Sequence, residues 1–232
     1  MAAFLAPQIL YEDNHLIAVN KPAGALVQGD KTGDKTLIDW IKNYIKKSAN
    51  KPGNVYLGVI HRLDRPTSGV VIFAKTSKAL TRMNALFKAR ETQKTYWAIV
   101  KNAPPNPEAT LTHFLVRNPE KNKSFAYETE RKEAKKAVLT YRISQQLNNY
   151  YLLDIELLTG RHHQIRTQLS AIGCPIKGDL KYGAERSNPD ASIHLHARSL
   201  AFVHPVTKTT IELIADPTIN DPLWKACLKF NE

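Results

Sequence analysis

Three short islands hold the residue types that could do chemistry. The first is His61-Arg62-Leu63-Asp64-Arg65-Pro66-Thr67-Ser68-Gly69, lying between the apolar runs Gly58-Val59-Ile60 and Val70-Val71-Ile72-Phe73-Ala74. Arg62 and Arg65 bracket Asp64, and neighbouring cations favour an ionised carboxylate. Such a carboxylate can act as a nucleophile or as a base. A polar loop at the end of rigid strands is a common place to display functional groups. The same composition also describes a polar hairpin whose Asp pairs with the adjacent arginines, and the residues alone leave both readings open. The second island is Leu158-Thr159-Gly160-Arg161-His162-His163-Gln164-Ile165-Arg166. It reads as a strand end, a glycine turn and the first turns of a helix, where backbone N–H groups suit a phosphate or carboxylate. A helix start with solvated arginines fits equally well. The third is Gln93-Lys94-Thr95-Tyr96-Trp97-Ala98-Ile99-Val100. Alternation puts Tyr96 on one strand face and Trp97 on the other. A tyrosine there is core material, or a ring on which a nucleobase can stack.

These islands need elements to hold them. Residues 8–20 read as two short strands around an Asp-Asn turn, and 28–36 as an exposed polar loop. Thr36 and Asp39 form a capping-box pattern ahead of Leu37, Ile38, Trp40, Ile41, Tyr44 and Ile45, so a helix is expected over 37–48 with Lys42, Lys46 and Lys47 on its outer face. Strands are expected at 55–60 and 69–75, the latter buried on both faces. Ser77 is placed to cap a helix carrying Leu80, Met83, Ala85 and Phe87. Further strands are expected at 95–100, 110–116, 137–143, 150–158, 193–203 and 209–214, with helices at 162–172, closed by Gly173, and at 220–229. A lysine-rich stretch covers 117–136. Strands outnumber helices without regular interleaving, which implies an α+β mixed sheet over a doubly wound one.

The 232 residues carry 33 Lys+Arg against 21 Asp+Glu, a net charge of +12, with a pI near 9.6. So basic a chain suits an electrostatic partner such as nucleic acid, and the charge by itself fits solubility equally well. Two cysteines cannot build a disulfide framework and fit a reducing compartment. No apolar run approaches the roughly 20 residues of a membrane span, and the first residues lack the basic-then-apolar pattern of a secretory signal. His162-His163 and His194-Leu195-His196 lack the i, i+4 spacing of a hydrolytic zinc site, so no metal is expected. Ser68 lacks nucleophile-elbow glycines, and no Gly-Lys-Ser/Thr phosphate loop occurs.

The three islands occur together, and in this order the chain resembles the RluA-type pseudouridine synthases. The loop His61–Gly69 is similar to that family's active-site loop. Gly160–Arg166 resembles its later basic motif, with His162 where Thr is more usual, and Lys94-Thr95-Tyr96 resembles its tyrosine motif. Asn20-Lys21-Pro22, Gly173–Asp179 with Tyr182-Gly183, and Leu195-His196-Ala197 with His204-Pro205 add to the likeness. The resemblance implies an α+β catalytic fold with a mixed, mostly antiparallel central sheet and flanking helices. It implies a catalytic domain over 8–217, a C-terminal helix or tail over 218–232, and no separate N-terminal RNA-binding domain. By the same resemblance Asp64 is the catalytic carboxylate, Arg166 its ion-pair partner and Tyr96 the ring against the target base. Arg62 helps displace the target nucleotide, Lys94 and Arg161 contact RNA, and Leu195 is an apolar wall. The implied activity is isomerisation of uridine to pseudouridine in a structured RNA, transfer or ribosomal, by a cytoplasmic monomer without metal, cofactor or nucleotide. The alternative is a non-catalytic RNA-binding protein or RNA-folding chaperone on the same fold.

Overall fold

The computed structural model describes residues 6–29, 33–50, 52–217 and 220–229. The expected loop at 28–36, the tail at 218–232 and the N-terminal segment each fall partly outside that set. The chain forms two compact units, one of residues 1–92 and 199–217, the other of 93–198 and 218–232.

In the first unit, strands β1 (Gln8–Glu12), β2 (Leu16–Lys21) and β4 (Ser68–Ala74) pair antiparallel in that order. The two-residue strand β3 (Gly58–Val59) also pairs with β4. Every residue of β4 is buried, as its unbroken apolar run requires. Alternation sorts the side chains of β2 and β4 onto two faces. Ile17, Val19, Val71 and Phe73 meet Leu37, Ile41 and Ile45 of helix α1 (Leu37–Ser48). Leu16, Ala18, Val70, Ile72 and Ala74 meet Ala79 and Met83 of helix α2 (Ser77–Ala89). The β2–β4 pair therefore forms the middle of a helix–sheet–helix stack, with its ends rigidly held. The capping box at α1 is formed: Asp39 N–H donates to Thr36 Oγ1, and Thr36 N–H to the Asp39 carboxylate. At α2 the cap is Thr76, whose hydroxyl oxygen accepts from Ala79 N–H, and Ser77 is the first helical residue. Ser and Thr cap alike, so their succession hides the boundary from the sequence.

In the second unit the antiparallel order is β5 (Thr92–Val100), β9 (Tyr151–Leu157), β8 (Lys135–Gln146), β6 (Glu108–Asn118) and β7 (Lys123–Tyr127). Thr92 itself is counted with the first unit. Strand β7 lies inside the lysine-rich stretch, where no strand was expected. It is a short edge strand whose only partner in this order is β6, so it needs no apolar run. Helix α3 is Gln164–Ala171, two residues shorter at its start than the pattern suggests. His163 takes φ of 52°, left-handed backbone that cannot continue inward as helix. Gly173, at φ of 76°, follows its end as expected. Helix α4 (Pro222–Lys229) is no loose tail: Trp224 and Cys227 join Trp97, Ile99 and Leu152 in one buried cluster. Strand β10 (Leu195–Val203) starts among second-unit residues, and its first-unit part pairs with β11 (Thr210–Ile214).

Candidate active site

The Asp64 loop leaves β3 and enters β4, and its backbone is fastened at several points. His61 Nε2 accepts from Ile72 N–H at 3.2 Å while its ring stacks on Phe87 at 5.1 Å between centroids. Accepting there requires an unprotonated Nε2, so His61 serves as a neutral brace. Thr67 N–H donates back to the Asp64 carbonyl at 3.1 Å, closing a turn. Gly69, at φ of 114°, carries the chain into β4 in a conformation that suits glycine. The facing segment is stitched on by Gly24 N–H to the Arg65 carbonyl and by Arg65 Nε to the Gly24 carbonyl. Arg65 places its remaining charge 3.0 Å from Asp34, with both side chains half exposed. Its guanidinium is thus committed to Asp34 and Gly24. Asp64 itself is half-buried and Arg62 is exposed.

Lys21, at the end of β2, lies beneath this loop and is fully buried. Its Nζ donates to the carbonyls of Ala25 at 2.8 Å, Pro22 at 3.0 Å and Arg65 at 3.2 Å, three acceptors for the three protons of an ammonium. Burial drives its pKa from the ordinary 10.5 down to about 7, against the upward pull of the Asp64 charge and with a further push from Arg65. Asn20-Lys21-Pro22 stood out in the sequence only through the family resemblance. Its backbone acceptors carry no side-chain signature. Between pH 7 and 10.5 the unfolded chain holds a proton that the native chain has released, so stability from this group rises with pH. Lys21→Met takes this donor from the Ala25 and Pro22 carbonyls, each worth about 1–3 kcal/mol, while the Arg65 carbonyl keeps Gly24 N–H. Urea denaturation should find the variant less stable at pH 7, by about 2 kcal/mol. The gap should widen by on the order of 1–2 kcal/mol by pH 9 as the wild type gains and the variant does not.

The remaining expected residues belong to the second unit. Tyr96, on β5 opposite Ile155, is 8% exposed, and Lys94 two residues earlier is half-buried. Leu195 is buried at 4% exposure. Arg161 Nε donates to the Lys136 carbonyl at 3.0 Å, so this arginine also fastens the loop ahead of α3 to β8. The first helical turn, Gln164 to Thr167, is buried. Gln164 Oε1 accepts from Arg161 N–H and Thr159 Oγ1, so a side chain occupies the neighbourhood where an anion was one expectation.

Arg166 is 5% exposed, and Asp179 is its fork partner: Nε lies 2.7 Å from Oδ2 and Nη2 2.8 Å from Oδ1. This bidentate pair fixes the plane of the guanidinium and does not use Nη1. The Arg166 guanidinium also lies over the Tyr182 ring, 5.0 Å from its centroid. Asp179 and Tyr182 were not among the expected site residues. Asp179 is 13 residues from its partner, beyond the reach of local pattern. The histidines that might suggest a metal are engaged otherwise: buried His194 meets Asp221 at 3.1 Å and Asn188 at 3.0 Å. Among the described residues no group of three or more His, Cys, Asp or Glu could hold a metal ion, and no helix is long and apolar enough to cross a membrane.

The model of the RNA pseudouridylate synthase family matches residues 15–171, more than half of the chain and including the Asp64 loop and Arg166. This chain belongs to that family. A tRNA pseudouridine synthase C from Vibrio cholerae is 30% identical over 239 residues, covering 95% of this chain and 94% of that one. An uncharacterized RNA pseudouridine synthase from Synechocystis is 33% identical over 211 residues, 89% of this chain. The chain spans 64% of that relative's length. Among solved structures, the human RNA pseudouridylate synthase domain containing 4 matches with a TM-score of 0.79 and 25% identity, over 96% of this chain and 92% of the human one. As a pseudouridylate synthase family member, the chain carries the α+β fold expected from its sequence, with antiparallel pairing throughout each named strand order above.

Proposed function

We propose that this protein isomerises uridine to pseudouridine in a structured RNA, with Asp64 as the catalytic carboxylate. The observation that carries the reading is the family loop His61–Gly69, whose backbone is held by Lys21 and Gly24 and whose His61 ring is held by Ile72 N–H, while the Asp64 side chain stays half-buried. A fixed backbone under an incompletely buried carboxylate is what nucleophilic or base chemistry on a large substrate needs. The reaction breaks the bond from uracil N1 to the sugar C1′, turns the base, and joins C5 to C1′. The C5 hydrogen leaves as a proton and N1 gains one, so atoms and electrons balance without an electron carrier.

In this reading Arg166 is the ion-pair partner that orients Asp64. Tyr96 stacks on the extruded uracil, Arg62 fills the space it vacates, and Leu195 is an apolar wall. Extrusion costs a few kcal/mol of unstacking, which the ring and the arginine offset. Lys94 and Arg161 contact RNA, and the lysine-rich stretch 117–136 holds phosphates, giving strong salt dependence. The catalytic domain covers 8–217, acts as a monomer in the cytoplasm, and takes transfer RNA, for which the Vibrio relative of matching length is named.

The test is tritium release from transfer RNA transcribed with 5-tritiated uridine, since C5 must lose its hydrogen. Release at one or a few positions establishes the activity and names the substrate. Release from ribosomal RNA alone reassigns the substrate. Tight RNA binding with no release from either makes the protein a non-catalytic binder.

A further inference from the structure

The loop ahead of α3 carries an arrangement that the proposed chemistry does not use. Ser124, on β7, is 2% exposed, and its hydroxyl lies 2.9 Å from both Nδ1 and the carbonyl oxygen of His162. A hydroxyl has one proton, so it donates to one of these and can accept only from the ring nitrogen. Either way a single side chain clasps the backbone and the imidazole of the same residue. His162 Nε2 reaches Asn122 Oδ1 at 3.3 Å, in the turn of the β6–β7 hairpin. The His162 ring stacks on His163 at 3.8 Å, and His163 Nδ1 lies 2.9 Å from the Tyr182 hydroxyl. That phenol oxygen accepts from Ser124 N–H at 2.8 Å, returning the network to β7. Around the Tyr182 ring, Lys123 Nζ from the hairpin is 4.9 Å from the centroid and the Arg166 guanidinium from α3 is 5.0 Å.

Strand β7 needs such a device. It pairs only with β6 in the second unit's strand order, through five residues, and exposes Phe125. Edge hairpins of this length are marginal by themselves. Nothing about this clasp resembles a catalytic group, because its polar atoms are spent on one another.

We propose that His162, with Ser124 and Tyr182, latches the β6–β7 hairpin to the segment bearing Arg166, and that this latch sets RNA affinity by fixing the hairpin's cations in place. His162 is thus a positioning residue for substrate binding. The inference rests on the proposed RNA reading for its consequence, and on the contacts above for the latch itself.

The full chain should be compared with His162→Ala, Ser124→Ala, their double variant and His162→Asn, using fluorescein-labelled bulk transfer RNA as probe. Each alanine variant should weaken binding and raise KM by about tenfold, as expected for one lost hydrogen bond and the order it imposes, with kcat within about twofold. The double variant should be weakened by clearly less than the product of the two single effects, because both remove the bond between the Ser124 hydroxyl and the His162 ring. His162→Asn, with a polar atom near the Nδ1 position, should recover most of the affinity. The salt slope should stay unchanged in His162→Ala, since no phosphate contact is lost, whereas Lys123→Ala should lower it by about one. Hydrogen exchange should quicken at β7 amides and not in the β8–β9 pair. A reduced salt slope for His162→Ala would mean direct RNA contact and overturns the latch. So does a fall in kcat and melting temperature with KM unmoved, or unaltered β7 exchange. A wild type that neither binds nor isomerises the RNA sinks the proposed function and the affinity claim, while the exchange result alone still decides whether the latch exists.

Discussion

Asp64→Asn should lower the rate of tritium release from 5-tritiated RNA by on the order of 10³-fold or more, while RNA affinity changes by less than about threefold. The substitution keeps the shape of the side chain and removes its charge. An amide cannot attack the sugar, and it cannot take a proton at neutral pH, so both routes open to a carboxylate close together. Binding is preserved because RNA affinity is dominated by phosphate contacts from cations, none of which is altered. Folding should also survive. The loop is held through its backbone, by Lys21 and Gly24 on the Arg65 carbonyl and by Thr67 on the Asp64 carbonyl, and these bonds are indifferent to the side chain at 64. One secondary effect has a definite sign. The Asp64 charge raises the Lys21 pKa against burial, so its loss lets the Lys21 ammonium titrate lower still. A variant that isomerises at the wild-type rate would remove Asp64 from the reaction.

Local patterns carried much of this structure, and the reason is distance along the chain. The Thr36–Asp39 cap and the apolar spacing behind it lie within one helix, so α1 was legible over its true bounds. The unbroken run from Val70 to Ala74 showed that β4 is covered on both faces. Pattern and structure part where a backbone angle or a sheet edge decides the outcome. His163 adopts left-handed backbone that a histidine does not advertise, so the sequence pattern starts α3 two residues before the helix does. Strand β7, Lys123–Tyr127, is one edge of a hairpin, and its mixed composition hid it among lysines. The site divides in the same way. Asp64 sits in a contiguous motif and could be singled out. Lys21 could not be given a role, because its partners are three carbonyl oxygens that any sequence supplies. Asp179 was visible as part of a Gly-Asp pair, but its bond to Arg166 is a product of the fold.

That bond carries the largest expected effect on stability. Asp179 is 1% exposed and the Arg166 side chain 6%, so both charges have left water, and the fork between them compensates that burial. Asp179→Ala would take the bidentate partner from a buried guanidinium, at a cost of up to about 3–5 kcal/mol. Against a typical total of about 5–15 kcal/mol, that is enough to leave part of the population unfolded at 37 °C. Urea denaturation should show a lowered midpoint with the m-value retained, because the surface exposed on unfolding hardly changes. Replacing both partners, as in Arg166→Leu with Asp179→Leu, should recover a large part of the loss, since no unpaired charge then remains inside. Activity separates the two roles of the pair. The double variant would fold and still fail to isomerise if Arg166 supplies charge to the reaction. An active double variant would reduce the Arg166–Asp179 fork to scaffold and remove Arg166 from the reaction. Equal stability of wild type and Asp179→Ala would mean that other groups hold Arg166 in place and that the fork adds nothing to folding.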